Sequence, residues 1–328
     1  MEKQTSLTQN CARLCPLVCI IACFSCLSVE VPIRAFPTSQ GESPDSETYQ
    51  AFPAFPVGDA PIAIAFDGIA VWVANYSGNS VTRLLSSDGS RLGTFAVGKH
   101  PVALCSDASD IWVVNAEAGS VTKLRADRGV LLGTFDVGLR PRGILCDGDN
   151  VWVAIEGSNS VIKLRGSDGA VLGNYPAGEN PSELISDGRN IWITNSIRAG
   201  TVTELEEDGR KVGEFETGAY PFGIVFDGEN IWVANAGSKD VTELRASDGK
   251  LLGIFPAGGK TFGIAFDGSS IWLVNRDLGK VRKLRARDGA ELESFVLGHS
   301  PVDIVFDGSS MWIALEETNS VVKIPANR

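Results

Sequence analysis

The chain has 328 residues, 44% of them apolar and 21% charged, which is enough apolar material for a sizeable packed core. Its formal net charge is −11 and it has no run of Lys and Arg. Together these exclude a phosphate-binding surface, and so nucleic acid, as its main partner.

Residues 1–30 differ in character from the rest. Lys3 and Arg13 precede an apolar stretch, 14–29, broken by Pro16. A membrane-spanning helix needs roughly 20 apolar residues, so the pattern fits a signal peptide better; an uncleaved anchor or a misplaced start codon are the alternatives. Five of the seven cysteines, Cys11, Cys15, Cys19, Cys23 and Cys26, fall in or beside this stretch. Ile20-Ile21-Ala22-Cys23 resembles a bacterial lipobox, which makes Cys23 a lipidation candidate; cysteine acting as a small hydrophobe is the alternative. Residues 31–48 are rich in Pro, Ser and Glu and read as a flexible linker. The expected location is secreted, periplasmic or tethered to a membrane by lipid.

From residue 49 onward the chain repeats. The seven tryptophans, Trp72, Trp112, Trp152, Trp192, Trp232, Trp272 and Trp312, are spaced forty residues apart. A period of that size marks a propeller or solenoid. Each unit holds four short apolar runs divided by turn residues; in the first they are 62–66, 71–75, 81–85 and 92–97. The first run always ends at an aspartate (Asp67, Asp107, Asp147, Asp187, Asp227, Asp267, Asp307), usually followed by glycine, which is strong turn chemistry. These features predict an all-β, seven-bladed β-propeller with four strands per blade, spanning 49–328. The last unit lacks its fourth run, and residues 49–57 carry the fourth-run pattern. The N-terminal strand therefore completes the last blade and closes the ring. In the fourth unit, 195–200 is one residue longer than its counterparts and the next turn one shorter, a compensated insertion.

The identical setting of the tryptophans in the second strand predicts interblade core rather than ligand platforms. The asparagines ending that strand (Asn75, Asn115, Asn195, Asn235, Asn275) are expected to fasten the following loop through backbone hydrogen bonds. Cys105 and Cys146 fall at neighbouring repeat positions. Neighbouring strand positions point to opposite faces, so no disulfide between them is expected.

The run Ile231-Trp-Val-Ala-Asn235, followed by Val241-Thr-Glu-Leu244, Asp248-Gly249 and Phe255-Pro-Ala-Gly258, resembles bacterial YVTN-type propellers. With the Pro221-Phe-Gly-Ile224 strand start it is also similar to the streptogramin (virginiamycin B) lyase group of seven-bladed propellers. The second resemblance implies an enzyme that uses histidines and a glutamate with bound magnesium at the central face. His100 and His299 are the only histidines here, both in loops entering a blade, and neither has a carboxylate two residues before it. No catalytic residue is carried over, and no cofactor is expected unless magnesium serves that lyase-like alternative.

In a near-uniform repeat, function should appear where one blade departs from the others. Arg142, Glu183 and Asp303 are charged near the start of the first strand, where other blades are small or apolar. Glu156, Arg276 and Glu316 follow the second strand, where Tyr76, Ala116, Ser196 and Ala236 stand elsewhere. His100, His299 and Tyr220 occupy loops on the same side, and all these positions gather at one mouth of the central channel. The expected role is a monomeric binding module that uses this mouth for a small molecule or an envelope protein. A lyase-like enzyme and a structural surface protein remain open alternatives.

Overall fold

A computed structural model describes residues 51–107 and 109–327. The expected signal segment, the linker and Cys23 lie outside the described residues. Seven four-stranded antiparallel sheets are present among the described residues, and six of them are ordered from the inside outward along the chain. In blade 1 the strands are Pro61–Phe66, Ala70–Asn75, Ser80–Leu85 and Arg91–Ala96, named a to d below. The sequence runs sit within one residue of these bounds. The a strands of the other blades are Pro101–Ser106, Pro141–Asp147, Pro181–Ser186, Pro221–Phe226, Thr261–Phe266 and Pro301–Phe306.

Blade 7 takes its d strand from the other end of the chain. Ala54–Pro56 pairs antiparallel with Ser320–Pro325, in the register Ala54 to Val322 and Pro56 to Ser320. The closing strand is shorter than the expected 49–57, of which residues 49 and 50 are outside the described residues. Phe55 reaches the Trp312 ring at 5.3 Å, the same contact that Phe95 makes with Trp72 at 5.6 Å in blade 1.

The tryptophans are interblade core, all with 0% exposure. Trp72, Ala74 and Val81 of blade 1 share a cluster with Leu104, Ile111, Val113 and Leu124 of blade 2, and equivalent clusters continue around the ring. The turn aspartates do more than turn the chain. Asp67 accepts the Ile69 and Ala70 amides through Oδ1 and the Trp72 indole N–H through Oδ2 at 2.8 Å. The equivalent indole bond recurs in blades 2, 4, 5, 6 and 7. A buried indole that would otherwise lack an acceptor is thereby satisfied, which explains the aspartate at six of the seven turns. In five blades a strand-c cation lies over the tryptophan face; the Lys123 amine is 4.9 Å from the Trp112 ring and donates to the Gly166 carbonyl of the next blade at 2.6 Å. Blades 4 and 5 carry Glu204 and Glu243 there instead, each accepting from an asparagine (Asn190, Asn230).

Two expectations are corrected. Asn75 does bond one backbone amide, that of Gly58, but its Nδ2 donates to the hydroxyls of Ser80 and Thr82. Asn115, Asn195 and Asn235 likewise donate to strand-c side chains, whereas Asn275 donates to the Thr261 hydroxyl of strand a. The second correction is the disulfide: Cys105 of blade 2 is bonded to Cys146 of blade 3, with their Cα atoms 5.7 Å apart. Neighbouring strand positions do point to opposite faces, but in a propeller opposite faces of successive blades pack against each other. The property that argued against pairing is the one that brings the two sulfurs together. Blade 3 is also the blade whose tryptophan indole, Trp152 Nε1, is buried without an acceptor, and there strand a runs one residue further, through Asp147.

Candidate functional site

Each a strand begins beside the channel and breaks its register with strand b after its first residue. In blade 3 Pro141 faces Ile155, but the next pair is Ile144 with Val153. In blade 7 Pro301 faces Leu315, and the next pair is Asp303 with Ala314. Such breaks re-aim side chains away from the regular pleat. Here the second and third residues of the a strands line a cavity of about 520 Å³ at the channel mouth. The third residue is Ala63, Ala103, Gly143, Gly223 or Gly263 in five blades, and Glu183 and Asp303 in blades 4 and 7. The glycines are there for space. A Cβ on Gly143 would stand 2.0 Å from the Ser182 carbonyl oxygen, and one on Gly223 2.3 Å from that of Phe262.

The two carboxylates are held differently. Asp303 accepts the Ile304 amide through one oxygen and the Ile64 amide of blade 1 through the other, both at 2.9 Å, so it bridges the seam where the ring closes. Glu183 has its amide bonded to the Thr194 hydroxyl at 2.9 Å, and that hydroxyl donates to the Phe222 carbonyl of blade 5 at 3.0 Å. The Glu183 carboxylate itself has no hydrogen-bond or ion-pair partner among the described residues. Burial pushes Glu183 up to about 8, with the Asp303 charge adding to the rise and Arg142 opposing it. Burial also pushes Asp303 up to about 6, against its two amide bonds.

The remaining charges at the mouth are paired. Arg142 donates to Glu156 at 2.6 Å, and Arg140 donates to the other oxygen of the same carboxylate. Arg276 is bonded to Glu316 of the next blade, with its guanidinium 5.9 Å from the Phe262 ring. Phe222 and Phe262 stand edge to face at 5.3 Å, and Ile62, Val102 and Val302 supply the aliphatic wall.

Of the residues expected at the mouth, Arg142, Glu183, Arg276, Asp303 and Glu316 line this one cavity, and Glu156 fixes Arg142 at its edge. His100 is displaced from it: the ring stacks on Tyr76 at 4.2 Å and its Nδ1 is 2.9 Å from Glu117. His299 and Tyr220 are in their loops outside the lining, Tyr220 with its amide on the Ile197 carbonyl of the blade 4 insertion. Three contributors were missed in the sequence. Phe222 and Phe262 replace Ile or Val at the second strand position, and Thr194 replaces Ala or Val before the strand-b asparagine. Those substitutions were the available signal.

The raised carboxylates have a consequence for stability. Both release protons at lower pH in the unfolded chain than in the folded one, so stability must fall as pH rises through that interval. The melting temperature of the full-length chain should decline between pH 5 and pH 8, and Glu183→Gln should flatten the decline and melt higher at pH 8. Superimposable melting profiles for parent and variant would contradict a buried, uncompensated Glu183.

Fold and mouth together define a seven-bladed propeller with an asymmetric, carboxylate-bearing cavity at its channel mouth. The chain shares this fold with a chain of Kuenenia stuttgartiensis hydrazine synthase (TM-score 0.75, 21% identity, 88% of this chain and 99% of that one). It shares it equally with virginiamycin B lyase from Staphylococcus aureus (TM-score 0.74, 18% identity, 84% and 99%). A streptogramin B lyase structure matches likewise (TM-score 0.73, 19% identity, 83% and 96%). No family model matches the sequence, and no curated protein does. The resemblance to streptogramin lyases thus holds for the fold. The magnesium implied by that resemblance finds no matching donor set: no three His, Cys, Asp or Glu side chains gather to hold a metal among the described residues.

Proposed function

We propose that this propeller is an extracytoplasmic, monomeric binding module that takes a small molecule into the cavity at its channel mouth. The observation that carries the reading is the concentration of blade-specific residues, Glu183, Asp303, Arg142, Arg276, Phe222 and Phe262, around one cavity in an otherwise uniform frame. Its volume of about 520 Å³ is within the range of small-molecule sites. The Cys105–Cys146 disulfide supports an oxidising compartment, since such bonds persist mainly outside the cytosol. The acidic balance of the chain, −11, argues against nucleic acid as the partner.

A second reading, an acid–base enzyme working in the same cavity, draws on one observation. Glu183 and Asp303 hold their protons to different pH, about 8 and about 6, and such a split suits an acid and a base near neutrality.

The test is a thermal-shift screen of small molecules of varied charge against the full-length chain, repeated on Val102→Trp, which fills the cavity. Ligands that stabilise the parent by several degrees and lose that effect in the variant support the binding module. A screen without hits, or hits indifferent to Val102→Trp, would reject it. Turnover of a hit would favour the enzyme.

A further inference from the structure

The charges lining the cavity are not balanced. Arg142 is committed to Glu156, and Arg276 to Glu316. Asp303 has both oxygens on backbone amides, which reduce its charge without cancelling it. The Glu183 carboxylate accepts no hydrogen bond among the described residues, although it lines the cavity and feels the Asp303 carboxylate. An ionised Glu183 would be repelled by the Asp303 carboxylate lining the same cavity, and its ionisation is costly unless something of opposite sign enters. A glycine or alanine at the third position, as in the five other blades, would have removed the cost altogether. Beside the carboxylates are the Phe222 and Phe262 rings, and aromatic faces favour cations as well as apolar groups.

From this geometry we infer that the ligand is an organic cation, its ammonium group set between Glu183 and Asp303 and its apolar body against Phe222 and Phe262. The inference rests on the small-molecule reading above and specifies the ligand's chemical class. A cation with an apolar body meets every feature of the wall that the protein itself leaves unmatched. A bare metal ion would leave the aromatic and aliphatic walls unused, and an anion would face the Asp303 carboxylate with both arginines already engaged.

Protonation provides a signature that a merely shape-filling ligand would lack. At pH 7 Glu183 holds its proton, and an entering ammonium favours the ionised carboxylate, so binding expels a proton to solvent. Affinity for the cation therefore rises with pH between 6 and 8. The charged and titratable groups facing Glu183 across the cavity are Asp303, Arg142, Arg276 and Glu316, with Tyr76 at the rim.

The experiment is calorimetry on the full-length chain with three ligands of one body: phenethylamine, 2-phenylethanol and phenylacetate. Titrations at pH 7 in buffers of different ionisation enthalpy count the protons released. The expected result is at least a tenfold preference for the amine over the alcohol, no binding of the acid, and release of close to one proton with the amine alone. Glu183→Gln should weaken the amine about tenfold, abolish the proton release and leave the alcohol unchanged. Asp303→Asn, checked first for an unaltered melting curve because Asp303 ties the ring seam, should weaken the amine in the same direction. Tighter or equal binding of alcohol or acid, amine binding without proton release, amine affinity indifferent to Glu183→Gln, or no amine binding would each overturn the cation assignment. The small-molecule reading would survive any of these if the broader screen still finds ligands sensitive to Val102→Trp; it falls only if that screen is empty.

Discussion

Deleting residues 51–57 should lower the melting temperature by about 10 °C or more and broaden the transition. Those residues include Ala54–Pro56, the outer strand of blade 7, which is continuous in the chain with blade 1 and holds blade 7 through its backbone hydrogen bonds to Ser320–Pro325. Without it Ser320–Pro325 becomes an exposed edge, and Trp312 loses the Phe55 ring at 5.3 Å. The Val57 amide on the Asn319 carbonyl and the Lys323 amide on the Pro53 carbonyl go as well. Loss of a packed phenylalanine costs about 3–5 kcal/mol. Each lost ladder bond adds about 1 kcal/mol. In a chain of this size each kcal/mol lowers the melting temperature by about 2–4 °C. Phe55→Ala, which keeps the strand and removes the ring, should give roughly half the loss. A deletion variant as stable as the parent, followed by circular dichroism or calorimetry, would mean that the ring does not depend on this strand.

The second large effect concerns the disulfide. Cys105→Ser, or full reduction of the native chain, should cost about 3–4 kcal/mol, as expected for releasing a cross-link whose ends are 41 residues apart in sequence. The corresponding fall in melting temperature is about 6–16 °C. Cys146→Ser should match it, and the double variant should be no worse than either single one, because the bond can be broken only once. Two single variants whose effects add would show that the thiols pack independently and that the bond contributes little. The experiment also bears on location: a chain purified from a reducing compartment should carry free thiols at both positions, and an extracytoplasmic one should carry none.

Much of the fold was legible because the repeat states it seven times. Forty-residue spacing of the tryptophans, aspartate at every first turn, and a displaced fourth run at residues 49–57 each point to the same closed ring. The strand limits of blade 1 came out within one residue because turn chemistry, Asp-Gly after strand a and glycine after strand d, marks each end locally, whereas the closing strand, expected over 49–57, is only Ala54–Pro56. The blade 4 insertion was likewise visible by counting, and the structure places it where Ile197 accepts the Tyr220 amide. In the candidate site, charged residues at positions that are small or apolar elsewhere singled out Arg142, Glu183 and Asp303, and all three line the cavity.

What the sequence determined by itself was therefore the architecture, since period, turn chemistry and core pattern are local properties repeated along the chain. Tertiary structure alone decided which residues meet across blades. Cys105 pairs with Cys146 because facing sides of successive blades meet, a relation between sheets that a pattern within one strand does not contain. The turn aspartates reach indole nitrogens five residues on, and Lys123 reaches a carbonyl of the next blade. Charge pairing at the mouth followed the same rule. Sequence could place Arg142, Arg276, Glu156 and Glu316 at one rim, but only the folded ring matched each arginine to a glutamate and left Glu183 without a partner. The physical reason is that partners and desolvation depend on distances through space that the pattern along one strand does not contain, and those distances exist only once the blades are folded and packed.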